Sequence, residues 1–95
     1  MEPQTYETRP NRKRAMQFLP KDPAAMAGLW GFAGPSLDRM EWDEARGVHV
    51  LFLKTMESHG ETQVAYPGNY IVEGLSGEHY PCEQSTFEKS YRRVE

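Results

Sequence analysis

Apolar and polar residues alternate with a period of two along much of this chain, as is typical of half-buried β-strands. In the segment RKRAMQFLP, Met16 and Phe18 fall on one face, and Pro20 ends the strand because it offers no N–H group to a ladder. The clearest strand covers residues 48–56, where both faces carry apolar side chains. A central place in a sheet, with cover on each side, is therefore expected for this segment.

Further strands are predicted between turn signals. Residues 37–42, 62–66 and 70–75 and the segment EHYPCEQ have strand-like composition. The intervening sequences DEARG, ESHGE and PGN supply turns, in which Gly and Asn tolerate the required backbone angles. The chain from residue 37 onward thus predicts a series of short antiparallel strands.

The segment KDPAAMAGLWGFAGP predicts a short helix. Asp22 is its N-cap candidate, and Pro23 suits the first helical position, where a missing N–H costs nothing. One apolar stripe at helical spacing is formed by Met26, Leu29 and Trp30. This stripe is expected to face the core, and Gly31 is expected to stop the helix.

A second helix is predicted near the C-terminal end of the sequence. Ser85 and Glu88 stand in the spacing of a capping box, so a helix is expected from about Thr86. Phe87 and Tyr91 lie four residues apart, and one face of this helix would bury both of them.

These elements together predict an α+β fold. We expect a small antiparallel sheet of about five strands, with barrel-like closure as one option, and two short helices. Residues 1–8 contain few apolar groups and are expected to form a flexible leader, with residues 9–95 as a single domain. A chain of 95 residues builds a small core, so a deep substrate cleft would compete with it for side chains.

Charge and cysteine content narrow the function classes. The net charge of −3 gives no reason to expect nucleic acid as the main partner, although Arg9, Arg12, Lys13 and Arg14 form a local basic cluster. The single cysteine, Cys82, excludes an internal disulfide. No secretory signal and no apolar run long enough to span a membrane are present, so a soluble cytoplasmic protein is expected.

One sequence spacing resembles a metal site or a catalytic pair. His79 and Cys82 are three residues apart, and a closed zinc site would also need His49 and His59 to converge on them. In a regular strand, residues 79 and 82 point to opposite faces, which argues against a thiolate–imidazole pair. We expect a solvent-facing His79 and a small buried Cys82, and no catalytic residue, metal or cofactor.

The C-terminal third carries a set of residues that resembles a known family. Those residues are Pro67, Gly68, Tyr70, Ile71, Val72, Gly74, Gly77, Glu78, Tyr80, Pro81, Cys82, Phe87, Tyr91 and Val94. Their order and spacing are similar to small proteins of unknown function encoded by tailed bacteriophages and prophages. The head segment, with Arg9, Pro10, Ala15, Gln17 and Phe18, resembles the same family more weakly, and Asn69 replaces the usual Asp. The resemblance implies an accessory protein in the cytoplasm of a bacterial host and transfers no catalytic residues.

Trp42, Tyr66, Tyr70 and Tyr80 cannot all lie in the core of so small a domain. Either most of them cover the core with their polar tips in water, or some of them form a surface that binds a partner. The predicted binding residues are Trp42, Asp43, Glu44, Tyr66, Asn69, Tyr70, Arg92 and Arg93. The expected function is to bind and occlude a host protein, in host takeover or anti-defence. Alternatives are a sponge for a nucleotide signal, held by Arg9, Arg12, Arg14, Arg92 and Arg93, a minor virion protein, and an enzyme. Homodimerisation through an exposed strand edge also stays open.

Overall fold

Eight strands and two helices follow one another along the part of the chain that the computed structural model describes, which comprises residues 3–8, 11–54, 62–74 and 77–93. The strands are β1 (Gln4–Thr8), β2 (Asn11–Gln17), β3 (Leu37–Asp43), β4 (Val48–Lys54), β5 (Thr62–Ala65), β6 (Tyr70–Glu73), β7 (His79–Cys82) and β8 (Arg92–Arg93). The helices are α1 (Pro23–Ala33), which runs into a 3₁₀ turn at Gly34–Ser36, and α2 (Gln84–Ser90).

The strands form two antiparallel sheets. One sheet has five strands in the order β7-β6-β2-β1-β8, and the other has three in the order β3-β4-β5. The predicted α+β class is confirmed, as is the central position of β4. The strands outnumber the five or so that were expected, and in the described residues the two sheets stay separate instead of closing into a barrel.

Residues 4–8, which were expected to belong to a flexible leader over residues 1–8, form strand β1. Thr5 pairs with Arg14 of β2, and Tyr6 pairs with Arg93 of β8, so β1 has a neighbour on each side. Backbone hydrogen bonds hold such a strand, and they require no apolar side chains. The low apolar content of this segment was therefore a poor guide to its structure.

The five-stranded sheet is covered on both faces. On one face, residues of β2 and β6 pack with α1 and with the central strand β4. This cluster comprises Met16, Phe18, Leu29, Ala33, Leu37, Leu51, Leu53, Ala65 and Ile71. It joins the two sheets and α1 into one core.

Helix α2 covers the opposite face of the same sheet. Phe87 packs there with Ala15, Tyr70 and Val72. The three consecutive residues Tyr70, Ile71 and Val72 are all buried, because alternate side chains of β6 enter different clusters.

Helix α1 confirms the predicted cap and corrects the predicted stripe. The Asp22 carboxylate accepts hydrogen bonds from the backbone N–H groups of Ala24 and Ala25, at 3.0 and 3.1 Å. The buried residues are Ala25, Leu29 and Ala33. Trp30 is 44% exposed, so its predicted place in the core is wrong. The alanines at positions i and i+8 let the helix lie close to the sheet, and the helix continues past Gly31 to Ala33.

We expect the Asp22→Ala variant to lose about 1 kcal/mol of unfolding free energy, since two N–H groups of α1 would lose their acceptor. Urea denaturation would measure this loss. Glu83→Ala is the matched control, because Glu83 is the N-cap of α2 and makes no side-chain capping bond. Equal losses in the two variants would contradict the assigned role of Asp22.

Helix α2 also departs from its predicted start. It begins at Gln84, and the Ser85 hydroxyl donates to the Glu83 carboxylate at 2.8 Å instead of capping the helix. Phe87 is buried as expected, whereas Tyr91 is partly buried and lies just beyond the helix. The predicted capping box is therefore wrong, although a helix follows it closely.

Candidate functional site

An open groove lies between the loop that joins β2 to α1 and the turn end of the β3–β4 hairpin. Its volume is about 560 Å³, within the range of about 300–1,000 Å³ that is common for ligand sites. The loop contributes Leu19, Pro20, Lys21 and Asp22, and the hairpin contributes Trp42, Gly47, Val48 and His49. Pro67 completes the lining, and we call this feature the Trp42 groove.

Trp42 and His49 form the wall of the groove on the hairpin side. They are paired across β3 and β4, and their ring centroids lie 5.0 Å apart in an edge-to-face arrangement. Trp42 is 55% exposed because it lies beyond Leu51 and Leu53, where the buried core ends. The indole is thus held by the strand and by His49, and much of its surface is open to a partner.

Charges lie at the margin of the groove. Lys21 is exposed, whereas the Asp22 carboxylate is already used to cap α1. Glu44 is exposed in the turn that joins β3 to β4. Lys21 is therefore an exposed cation in the groove lining, and the adjacent hairpin turn carries the exposed side chains of Glu44 and Arg46.

Asp43 helps to build the hairpin turn. Its carboxylate accepts from the backbone N–H of Arg46 at 3.1 Å and from the Arg46 guanidinium at 3.0 Å. These two hydrogen bonds lower the pKa of Asp43, with the backbone bond as the larger cause. Gly47 closes the turn with a φ of 67°, a conformation that favours glycine.

Tyr66 is 37% exposed, as predicted, but it does not line the groove. The Arg46 guanidinium lies 4.7 Å from the centre of its ring. Ala65 pairs with Leu51, which shares a face of β4 with His49, so the next residue, Tyr66, leaves toward the other face. Arg46 therefore links Tyr66 to the hairpin turn.

The remaining predicted binding residues have other places. Tyr70 is buried and stacks on Phe87 with ring centroids 4.1 Å apart, so it is not the exposed aromatic surface residue that was expected. Asn69 holds the turn before β6, since its side-chain oxygen accepts from the backbone N–H of Tyr66 at 2.9 Å. Arg92 and Arg93 form β8 through their backbones, and their side chains lie outside the described part of the structure.

The sequence did contain a signal for one groove residue that was missed. The turn between β3 and β4 has four residues, and Asp43 pairs with Val48 across it. Counting outward along this hairpin places His49 opposite Trp42. No comparable local signal exists for Leu19, Lys21 or Pro67. Leu19 and Lys21 lie in the loop between β2 and α1 and Pro67 lies in the turn between β5 and β6, so only tertiary packing brings them to the hairpin.

A second cluster of polar groups surrounds His79. This residue was expected to face solvent, but it is buried, with 5% of its surface exposed. Its Nδ1 atom lies 2.7 Å from the Ser36 hydroxyl, and its ring lies edge-on to Phe32. Nε2 has no hydrogen-bond partner among the described residues and faces the Glu73 carboxylate at 3.8 Å. This carboxylate favours the tautomer with a proton on Nε2, and in that tautomer Nδ1 accepts from the Ser36 hydroxyl.

Arg14 binds the same Glu73 carboxylate with two hydrogen bonds, at 2.9 and 2.7 Å. These bonds are the main reason why the pKa of Glu73 is lowered. The pKa of His79 is also lowered, primarily because burial disfavours the imidazolium form. The cluster is therefore built around a neutral imidazole.

Lowering the pH from 7 to 5 should reduce the unfolding free energy, because the unfolded chain then binds a proton that folded His79 resists. The contribution of neutral His79 to stability is fully present above the ordinary histidine pKa of 6.5. It is lost as the pH falls through the lower pKa that His79 has in the folded state. Glu73, whose pKa is lowered from its ordinary value of 4.5, affects the pH dependence of stability only in more acidic solution. Urea denaturation at several pH values should show a shallower dependence for His79→Phe, and equal slopes would contradict this assignment.

Cys82 and His79 lie on opposite sides of β7, as expected from their spacing. Cys82 is partly buried and packs against the cluster around Phe87, whereas His79 contacts Phe32 on the other side. Burial raises the pKa of the Cys82 thiol, which keeps it protonated. Among the described residues, no group of three or more His, Cys, Asp or Glu side chains could hold a metal ion, and His59 lies outside those residues.

No helix in the described segments is both long and apolar enough to cross a membrane. No known protein family, curated protein or solved structure matches this chain.

Proposed function

We propose that this chain is a small phage or prophage accessory protein that acts without catalysis, by binding a host protein and covering its functional surface. The observation that carries the proposal is the Trp42 groove, where an indole is held in place with more than half of its surface exposed. The resemblance of the C-terminal third to phage-encoded proteins supports the setting in a bacterial host.

The groove suits an apolar anchor from a partner protein. Trp42, Pro20, Pro67 and Val48 supply mostly apolar walls. Tryptophan is among the residues that contribute most to protein–protein interfaces, because a large rigid ring is buried at a small cost in conformational entropy. The partner would insert an apolar side chain against Trp42 and place a basic group toward Glu44.

A competition experiment would test this proposal. Immobilised protein is exposed to a host-cell lysate with an excess of free competitor, and captured proteins are identified by mass spectrometry. Free wild-type protein should displace a specific host protein, whereas free His49→Glu should not, because its carboxylate would stand beside Trp42 in the groove. If both competitors displace every captured protein equally, the groove is not the binding site.

A nucleotide ligand is a second candidate, favoured by the size of the groove. A base could stack on Trp42 while Lys21 meets a phosphate. Arg14, one of the arginines expected to hold a phosphate, is less able to do so because its guanidinium is already bound to Glu73. A thermal-shift screen with cyclic nucleotides and NAD derivatives separates the candidates. Ligand at 100 times its Kd adds about 2.7 kcal/mol of stability, so a raised melting temperature would favour the nucleotide.

A further inference from the structure

Strand β3 leaves a long sheet edge open. It has seven residues and, among the described strands, pairs only with β4. The other strands at sheet edges, β5, β7 and β8, have four, four and two residues. Every residue from position 38 to 42 is exposed. An open edge of this kind presents unpaired N–H and C=O groups that can pair with another strand.

The two faces of β3 differ in chemistry. Met40 and Trp42 pair with Leu51 and His49 and share one face. Met40 is 38% exposed and Trp42 is 55% exposed, so two large apolar side chains lie side by side on an edge strand.

On the opposite face, Arg39 and Glu41 pair with Phe52 and Val50. The Arg39 guanidinium lies 4.0 Å from the centre of the Phe52 ring and donates to the Glu41 carboxylate at 2.7 Å. Charged residues on an edge strand usually repel an incoming strand. Here Arg39 binds the Asp38 carboxylate as well as that of Glu41, so each of these charges already has an opposite charge beside it. In the register considered next, Asp38 would lie opposite the uncharged Trp42 of the second copy.

The order of these charges selects one register for self-pairing. When two copies of β3 pair antiparallel about Met40, each Arg39 lies opposite the partner's Glu41, and the two Met40 side chains meet at the twofold axis. A centre at Glu41 would oppose two glutamates, and a centre at Arg39 would oppose two arginines. A centre at Trp42 would place Glu41 opposite the partner's Asp43. Only the Met40 register pairs opposite charges without a like-charge pair among residues 39–43.

We propose that the occupant of this edge is a second copy of the chain, joined through β3 in the register centred on Met40. The two three-stranded sheets then form one continuous six-stranded sheet. Met40 and Trp42 of each subunit become diagonal neighbours across the axis, which removes part of the exposed apolar surface from water. The dimer carries two Trp42 grooves, and its formation does not depend on what the groove binds.

Analytical ultracentrifugation of the full chain, at concentrations up to about 1 mM, tests this dimer, because even weak association is detected there. The wild type should approach twice its mass of 10.9 kDa. Arg39→Glu places two like-charge pairs across the axis, as does Glu41→Arg, and each change should raise the dissociation constant about tenfold or more. The double variant Arg39→Glu/Glu41→Arg restores opposite charges and should recover the dimer.

Two further variants keep the result interpretable. Lys89→Glu reverses an exposed charge on α2, away from β3, and should leave the dimer intact. Met40→Glu brings two carboxylates together at the axis and should also separate the subunits. Circular dichroism confirms that each variant is folded. A wild type that stays monomeric at all concentrations overturns the proposal, as does a dimer that the single charge reversals leave unchanged or that the double variant fails to restore.

Discussion

Replacing Phe87 by alanine is expected to remove about 3–5 kcal/mol of unfolding free energy, the cost of truncating a fully buried aromatic ring. Phe87 is completely inaccessible and lies between two other rings. The ring centroids of Tyr70 and Tyr91 lie 4.1 and 4.6 Å from its own, both nearly parallel to it. The variant would leave a cavity between α2 and the five-stranded sheet. Small domains have a total stability of only about 5–15 kcal/mol, so Phe87→Ala should be close to unfolding at physiological temperature.

Urea denaturation measures this change. Phe87→Leu keeps most of the buried volume and is expected to lose less than half as much, so it provides a reading if the alanine variant does not fold. Trp30→Ala is the surface control, because Trp30 is an exposed aromatic residue on the other helix. A loss of less than about 1 kcal/mol for Phe87→Ala would mean that α2 contributes little to the core.

Trp42→Ala is expected to weaken binding to the host partner at least about 30-fold, which corresponds to about 2 kcal/mol, the usual threshold for a dominant interface residue. The same change should lower the unfolding free energy by only about 1 kcal/mol, since just over half of the indole is already in water. Isothermal titration calorimetry with the captured partner would measure the first quantity, and urea denaturation would measure the second.

Two controls separate groove binding from other effects of this substitution. Trp30→Ala removes a second exposed tryptophan outside the groove lining and should leave the affinity unchanged. Arg39→Glu is designed to separate the proposed dimer without altering the groove, and should keep the affinity of each single site. If Trp42→Ala binds as tightly as wild type, the proposed function is wrong in its choice of surface.

Several features of this fold follow from short stretches of sequence. Asp22 and Pro23 start α1 because one offers a carboxylate to free N–H groups and the other lacks a donor. Gly47 and Gly68 close turns with positive φ, where other residues would be strained. The alternation in β2 and the double-sided apolar pattern of β4 identify buried strands. In each case the decisive interactions lie within a few residues of one another.

The candidate site was predicted only in part. Trp42 and Glu44 are exposed as expected, whereas Tyr70 is buried beneath α2. Periodicity places Tyr70 on a strand, but it cannot say whether a helix covers that face. The same limit applies to His79, whose neighbours Ser36 and Glu73 come from other elements. Binding by the groove and the setting in a bacterial host both stay predictions.

Local chemistry was therefore enough for the α+β class, the start of α1 and most of the turns, because capping, turn geometry and strand alternation act over short distances. Tertiary structure alone decided that residues 4–8 form an inner strand, that Trp30 faces solvent, and that His79 is buried. It also brought the loop before α1 to the β3–β4 hairpin to form the groove. These outcomes depend on which faces of distant elements meet, and a chain with two sheets has several such pairings that its local pattern does not distinguish.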